Sequence, residues 1–223
     1  MATQLDLQEQ EQLDELKAFW KQYGNLISWL LILVLGGFAA FNGWNWWQRE
    51  QGTKASAMVD ALVQAAEAGD AERTGRVLTD LKDRYGRTAQ AQQGALLAAR
   101  VQLDKQQPDA ALATLAWVAD NASDAEYRSI ARLRAAGILL DKKLHDEALK
   151  QLDAAKSPNF AALVADRRGD VLSAQGKAAD ARAAYEAAYK AMAPTLDYRR
   201  LVEAKLTALG AAPAAPVASG ATR

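Results

Sequence analysis

The 223-residue sequence contains no cysteine. Disulfides, iron–sulfur clusters and cysteine-based zinc sites are therefore excluded. So is the thioether lipid of a bacterial lipoprotein, which needs a cysteine. The redox compartment stays open, because a chain without thiols works in either environment. There is a single histidine, His145, in the stretch KKLHDE. It reads as a surface residue in a turn before a helix, and no second imidazole exists to share a metal with it. Long β-branched runs and sustained period-2 alternation are also missing, which argues against a sheet. Lys+Arg and Asp+Glu both number 27, so no basic footprint for nucleic acid is present. No G-x-S-x-G, no P-loop and no glycine-rich dinucleotide loop after a strand occurs. Asp166 and Asp170 share a helix face at i, i+4, but two such acids without a pocket do not make a catalytic pair. The absences together point away from an enzyme, a cofactor or a metal and toward an interaction protein.

What is present is segregated. From Gln22 to Gln48 no residue is charged, and Leu26–Trp47, 22 residues, is strongly apolar. At 1.5 Å rise per residue this run reaches roughly 33 Å, enough to cross a hydrocarbon core of ~30 Å. Trp20, Tyr23 and Trp29 mark one end and Trp44, Trp46 and Trp47 the other, where interfacial aromatic belts belong. The run is too long, and its leading residues too acidic, for a cleaved signal peptide. Ala55-Ser56-Ala57 resembles a cleavage site but lies well beyond the run, past Arg49, Glu50 and Lys54. The segment reads as an uncleaved transmembrane anchor in a lipid bilayer. Lys17 and Lys21 on one side balance Arg49 and Lys54 on the other, so charge does not set orientation. The acidic head, residues 1–25, carries Leu13, Leu16 and Trp20 at helical spacing and reads as an amphipathic juxtamembrane helix.

Half of the span is rich in small residues: Gly36, Ala39, Ala40 and Gly43 fall on roughly one helical face. In lipid, close approach across small residues takes over from apolar burial as the source of helix association. This stripe is the candidate face toward a membrane partner, with Asn42 or Asn45 available for a hydrogen bond.

Beyond Thr53 the pattern is helical, with breaks at Gly69, Gly86, Pro108, Pro158, Gly176 and Pro194. Residues 95–118 align without gaps on residues 132–155 at an offset of 37, matching Ala99 to Ala136, Leu103-Asp104-Lys105 to Leu140-Asp141-Lys142, Ala111 to Ala148 and Leu115 to Leu152. A second comparison, at offset 33, brings Gly169, Ala181 and Tyr185 onto Ala136, Ala148 and Leu152. Each unit is a helix, a tight turn and a second helix. Small residues allow close approach, and a bulky residue one turn later fills the gap. The pattern resembles the tetratricopeptide repeat, whose period is about 34 residues. It is best developed in residues 163–194 and weak in residues 54–86, where Thr74 takes the alanine position. The expectation is an all-α chain: head (1–25), transmembrane helix (26–47), a degenerate tetratricopeptide-like solenoid of about four helix pairs (54–209) with residues 195–209 as a capping helix, and a disordered tail (210–223).

The order of acidic head, span closed by W-x-W-W and degenerate repeats, with the block AALVADRRGDVLSAQGKAADARAAYEAAYKA (residues 161–191), resembles the YfgM family, ancillary subunits of the bacterial SecYEG translocon. The resemblance implies a single pass through the bacterial inner membrane with the head cytoplasmic and the C-terminal domain periplasmic. It implies association with SecYEG and with a membrane-anchored periplasmic chaperone of the PpiD type, in the transfer of unfolded, newly translocated proteins. It carries over no site residues, and the alanine-rich tail departs from it.

Two other readings stand beside it: a membrane-anchored tetratricopeptide receptor in the cytosol, gripping chaperone C-termini, and a scaffold in envelope or pilus assembly that keeps the same topology with a different partner. A receptor needs basic residues on the concave first helices. The repeat alignment places Leu96, Arg100 and Leu103, then Leu133, Gly137 and Leu140, then Asp166, Asp170 and Ser173 there, only one of them basic. Leu96, Leu103, Leu133 and Leu140 form a candidate apolar strip for a partner or client, with core packing as the alternative. Arg100, Asp166 and Asp170 complete the candidate concave face.

Overall fold

In the computed structural model, residues 7–212 are described, and among them every regular element is helical. The chain divides into two compact units, residues 1–51 and 52–223. The helix α1, Leu7–Glu67, supplies the described part of the first unit and the opening helix of the second. The second unit continues with α2 (Ala71–Tyr85), α3 (Ala89–Asp104), α4 (Pro108–Asn121), α5 (Ala125–Asp141) and α6 (His145–Ala154), then a single 3₁₀ turn at Pro158–Phe160, α7 (Ala161–Ala174), α8 (Ala178–Ala191) and α9 (Tyr198–Ala208). From residue 213 the tail lies outside the described residues.

The described part of the first unit is a single helical stretch, polar at its start and apolar beyond Lys21. Its window of greatest hydropathy is almost wholly exposed, and the helix is long and apolar enough to cross a membrane. Trp20, Trp29, Trp44, Trp46 and Trp47 all stand exposed, as do the aliphatic side chains of residues 30–35. Trp44 and Trp47 lean on each other with ring centroids 5.3 Å apart. Such a surface is unstable in water and suited to lipid with interfacial ends.

The second unit is built as helix pairs: the end of α1 with α2, α3 with α4, α5 with α6, and α7 with α8, closed by α9. Local sequence explains the starts. Asp70 accepts a hydrogen bond from the Arg73 amide (2.9 Å), Thr88 from that of Ala91 (3.2 Å) and Asp124 from that of Glu126 (2.7 Å), each satisfying an orphan amide of a helix N-terminus. Pro108 opens α4, where its missing N–H costs nothing.

The four turns within pairs are the same structure repeated. Each holds one residue in the left-handed region: Gly69 (φ 69°), Gln106 (59°), Lys143 (61°) and Gly176 (77°). The amide of that residue bonds to the carbonyl three residues back, and the next amide bonds five back. Gln106 donates to Leu103 and Gln107 to Gln102, both at 2.8 Å; Lys143 donates to Leu140 and Leu144 to Leu139, both at 2.9 Å. This is the Schellman closure of a helix C-terminus. Glycine is the usual occupant of the left-handed site, yet two of the four are Gln and Lys.

The repeat positions pack as their size requires. Ala99, Ala136 and Gly169 are buried on the first helices, and Ala111, Ala148 and Ala181 on the second. Leu115, Leu152 and Tyr185 fill the space beyond them. In the first pair Thr74 is buried at the alanine position. Its hydroxyl donates to the Asp70 carbonyl at 2.7 Å, so the polar atom is satisfied within its own helix. One core runs from Leu62 and Leu78 through α3 and α4 to Ala131 and Ile138 of α5. Separate clusters lie between α5, α6 and α7, and between α8 and α9.

Candidate partner-binding groove

A concavity of the helical unit, about 460 Å³, lies where the first helices of three successive pairs meet. α3 brings Arg100 and Leu103, α5 brings Leu133, Arg134, Gly137 and Asp141, and α7 brings Arg167. Ala99, Leu115 and Ile138 form its floor. Small residues create the hollow: Ala99 from the repeat pattern and Gly137 from the concave positions leave room that larger side chains would fill. A Cβ built at Gly137 would sit 3.8 Å from Cζ of Arg167, so the guanidinium rests over the bare glycine backbone.

The groove is basic. Arg134 donates from Nη1 to the Leu96 carbonyl (3.1 Å), which fixes the guanidinium across the space between α5 and α3. Partial burial, and then the like charge of Arg100, lower the pKa of Arg134 from its ordinary value. Arg100 reaches Asp104 only at 3.9 Å, and Arg167 reaches Asp170 at 3.6 Å. Asp141 is the one carboxylate among the lining residues.

The concave positions expected from the repeat alignment divide into three groups. Arg100, Leu103 and Leu133 line the groove. Leu103 is 41% exposed. Leu96 is buried in the main core, and Leu140 is half-buried against the cluster of Ala136, Leu139, Leu152 and Val171. The four leucines therefore do not form one continuous exposed strip. Asp166 and Asp170 are taken up internally. Asp166 is 1% exposed and accepts from Lys205 Nζ (2.8 Å) and the Tyr198 hydroxyl (2.7 Å). Asp170 accepts from the Tyr185 hydroxyl (2.9 Å) and lies 2.7 Å from Lys205 Nζ. The two carboxylates fasten the capping helix α9 to α7. Burial first, and then the bond to its aspartate, push the pKa of both Tyr185 and Tyr198 well above the ordinary phenol value.

Arg134 and Arg167 escape the alignment because each is one residue beyond the expected concave position, at Leu133 and Asp166. A long arginine reaches the groove from the flank of the helix, where a short side chain could not. The signal in the sequence is a basic residue next to each concave position of two consecutive repeats.

In the apolar unit, Gly36, Ala39, Ala40 and Gly43 are all exposed, and a Cβ at Gly36 or Gly43 would meet nothing within 4 Å. Asn42 donates to the Phe38 carbonyl of its own helix at 2.9 Å, so part of its hydrogen-bonding capacity is used locally. His145 opens α6, half-buried.

A long apolar helix followed by tetratricopeptide-like pairs defines an interaction protein of membrane-anchored type. The chain matches the tetratricopeptide repeat-like domain family over residues 17–211. It is 32% identical to the ancillary SecYEG translocon subunit of Neisseria gonorrhoeae over 204 residues, covering 91% of this chain and 98% of the relative. It is 30% identical to the Escherichia coli protein of the same name over 185 residues, 82% of this chain and 87% of that one. The Haemophilus influenzae protein of that name is 28% identical over 182 residues, 82% of this chain and 89% of the relative. The chain belongs to the family of ancillary SecYEG translocon subunits, the YfgM family. Neither this family nor the repeat fold is one of enzymes.

Proposed function

We propose that the chain is a membrane-anchored interaction module that associates with a SecYEG translocon and helps pass newly translocated proteins to periplasmic chaperones, including a membrane-anchored chaperone of the PpiD type. The observation that carries this reading is the 32% identity to an ancillary translocon subunit over 98% of that relative. A match of that extent takes in the apolar helix and the repeats together, so it concerns the whole arrangement. The relatives and the apolar helix fit an inner-membrane location. In this reading the head is cytoplasmic and the helical domain periplasmic, an orientation that the family resemblance supports. The small-residue face Gly36, Ala39, Ala40 and Gly43 is assigned to contact with a membrane partner, because an open glycine backbone lets a second helix approach closely.

The test is purification of the full-length protein in mild detergent and identification of what accompanies it. Translocon subunits are expected; cytosolic chaperones in their place would overturn the reading. Protease added to spheroplasts should digest the helical domain and spare the head, whereas a domain cut only after the membrane is breached would reverse the topology. Gly36→Leu with Ala40→Leu should leave the protein inserted but reduce recovery of the partner. Undiminished recovery would reduce the span to a tether.

A further inference from the structure

The groove between α3, α5 and α7 holds more positive charge than its own carboxylates neutralise. Three guanidinium groups, from Arg100, Arg134 and Arg167, come from three successive first helices, against the single lining carboxylate of Asp141. The two ion pairs that Arg100 and Arg167 make are long, at 3.9 and 3.6 Å. Arg134 spends one N–H on a backbone carbonyl and meets no carboxylate within 4.0 Å among the described residues. A guanidinium carries five N–H donors in a planar fork matched to a carboxylate, so each keeps donors for a ligand. Between the charges the surface is apolar, from Leu103, Leu133 and Ile138.

We infer that this groove binds an extended polypeptide segment in which acidic side chains alternate with aliphatic ones, each acid meeting one of Arg100, Arg134 and Arg167. Charge complementarity names the partner's chemistry, and the spacing of the helices sets its register. An extended chain advances about 3.3 Å per residue, so acids roughly three residues apart, about 10 Å, can each meet a guanidinium from a different first helix. The intervening aliphatic side chains reach Leu103 and Leu133. The inference deepens the proposed function by naming the kind of segment the domain takes up. It rests on the reading as an interaction protein, and binding by the purified chain does not require the translocon, so the two fail separately.

The experiment uses the full chain in detergent micelles and a fluorescent peptide, N-acetylated and C-amidated, with glutamates three residues apart among leucine and serine. Anisotropy should report saturable binding that weakens with salt. A peptide with glutamine for glutamate should bind at least about tenfold more weakly, the scale of one lost charge-assisted contact. Arg100→Gln with Arg134→Gln should produce a similar loss. Because Arg134 also holds the Leu96 carbonyl, Arg100→Glu alone is the second variant: its side chain is exposed, so weaker binding with an unchanged melting temperature supports the groove. Equal binding of the glutamine peptide overturns the proposal. So does unchanged binding by both variants, or binding only when the peptide has a free C-terminal carboxylate, which would mark a terminus-reading site instead.

Discussion

The ring of Tyr185 on α8 lies against the bare backbone of Gly169 on α7, so closely that a Cβ added at Gly169 would stand 2.4 Å from Cε1 of Tyr185. The same two positions are Ala136 with Leu152 one pair earlier, where a smaller partner leaves room for a methyl. Glycine and the large ring are matched, and Tyr185 in turn holds Asp170 through its hydroxyl.

Gly169→Ala is therefore expected to destabilise the domain by about 1–3 kcal/mol, the usual cost of overpacking, because the ring cannot retreat without losing its bond to Asp170. Tyr185→Leu in the same chain should recover part of the loss by restoring the pairing of the preceding repeat. Urea unfolding of the two variants checks this. A Gly169→Ala protein as stable as the parent would show that the ring moves freely.

Gln106 and Lys143 occupy the left-handed turn positions that Gly69 and Gly176 fill in the other pairs. A side chain there costs about 1–2 kcal/mol, while glycine gives back part through its looser unfolded state. Gln106→Gly and Lys143→Gly should each raise stability by up to about 1 kcal/mol, and Gly176→Ala should lower it by about as much. The melting temperatures of the three variants must move in these opposite directions.

Lys205 bridges Asp166 and Asp170 beneath the capping helix. Lys205→Met leaves a buried carboxylate uncompensated, and a loss of about 3 kcal/mol is expected. Asp166→Asn with Lys205→Met should cost less than the sum of the single changes, the signature of a direct coupling.

The tyrosines of this network make stability depend on alkaline pH. Tyr185 and Tyr198 have folded pKa values raised above the ordinary 10.0, chiefly by burial and by their bonds to Asp170 and Asp166. A raised phenol pKa contributes stability that is fully present below the unfolded value. It is lost as pH rises through about 10 toward the folded value. Denaturation midpoints measured across that range should fall, and the fall should be shallower in Tyr185→Phe and Tyr198→Phe proteins. An equally steep fall in both would place the dependence elsewhere.

Two leucines from the repeat alignment separate core from surface. Leu140 packs against the α5–α7 cluster, and Leu140→Asp is expected to cost about 2–3 kcal/mol. Leu103 is exposed at the groove, and Leu103→Asp should change stability by no more than about 0.5 kcal/mol. Thermal unfolding of the pair decides whether the strip is divided as the packing indicates.

The amino-acid sequence by itself determined the helical class, the apolar helix, the pairing of helices and the small-and-large pattern at Ala99, Ala136 and Gly169 with Leu115, Leu152 and Tyr185. These features depend on period, length and side-chain volume, all of which are local along the chain. The left-handed turns at Gln106 and Lys143 carried no such mark, since neither residue prefers that conformation and the closure of the helix pair imposes it. The fate of the acids was equally hidden. Asp166 and Asp170 look like solvated neighbours on one face until Lys205 and Tyr198, over thirty residues downstream, return to cover them. The groove was decided in the same way: Arg134 and Arg167 sit beside the concave positions, and only the assembly of α3, α5 and α7 brings them into one concavity with Arg100. Contacts between residues far apart in sequence follow from how helices stack, and stacking is a property of the assembled core.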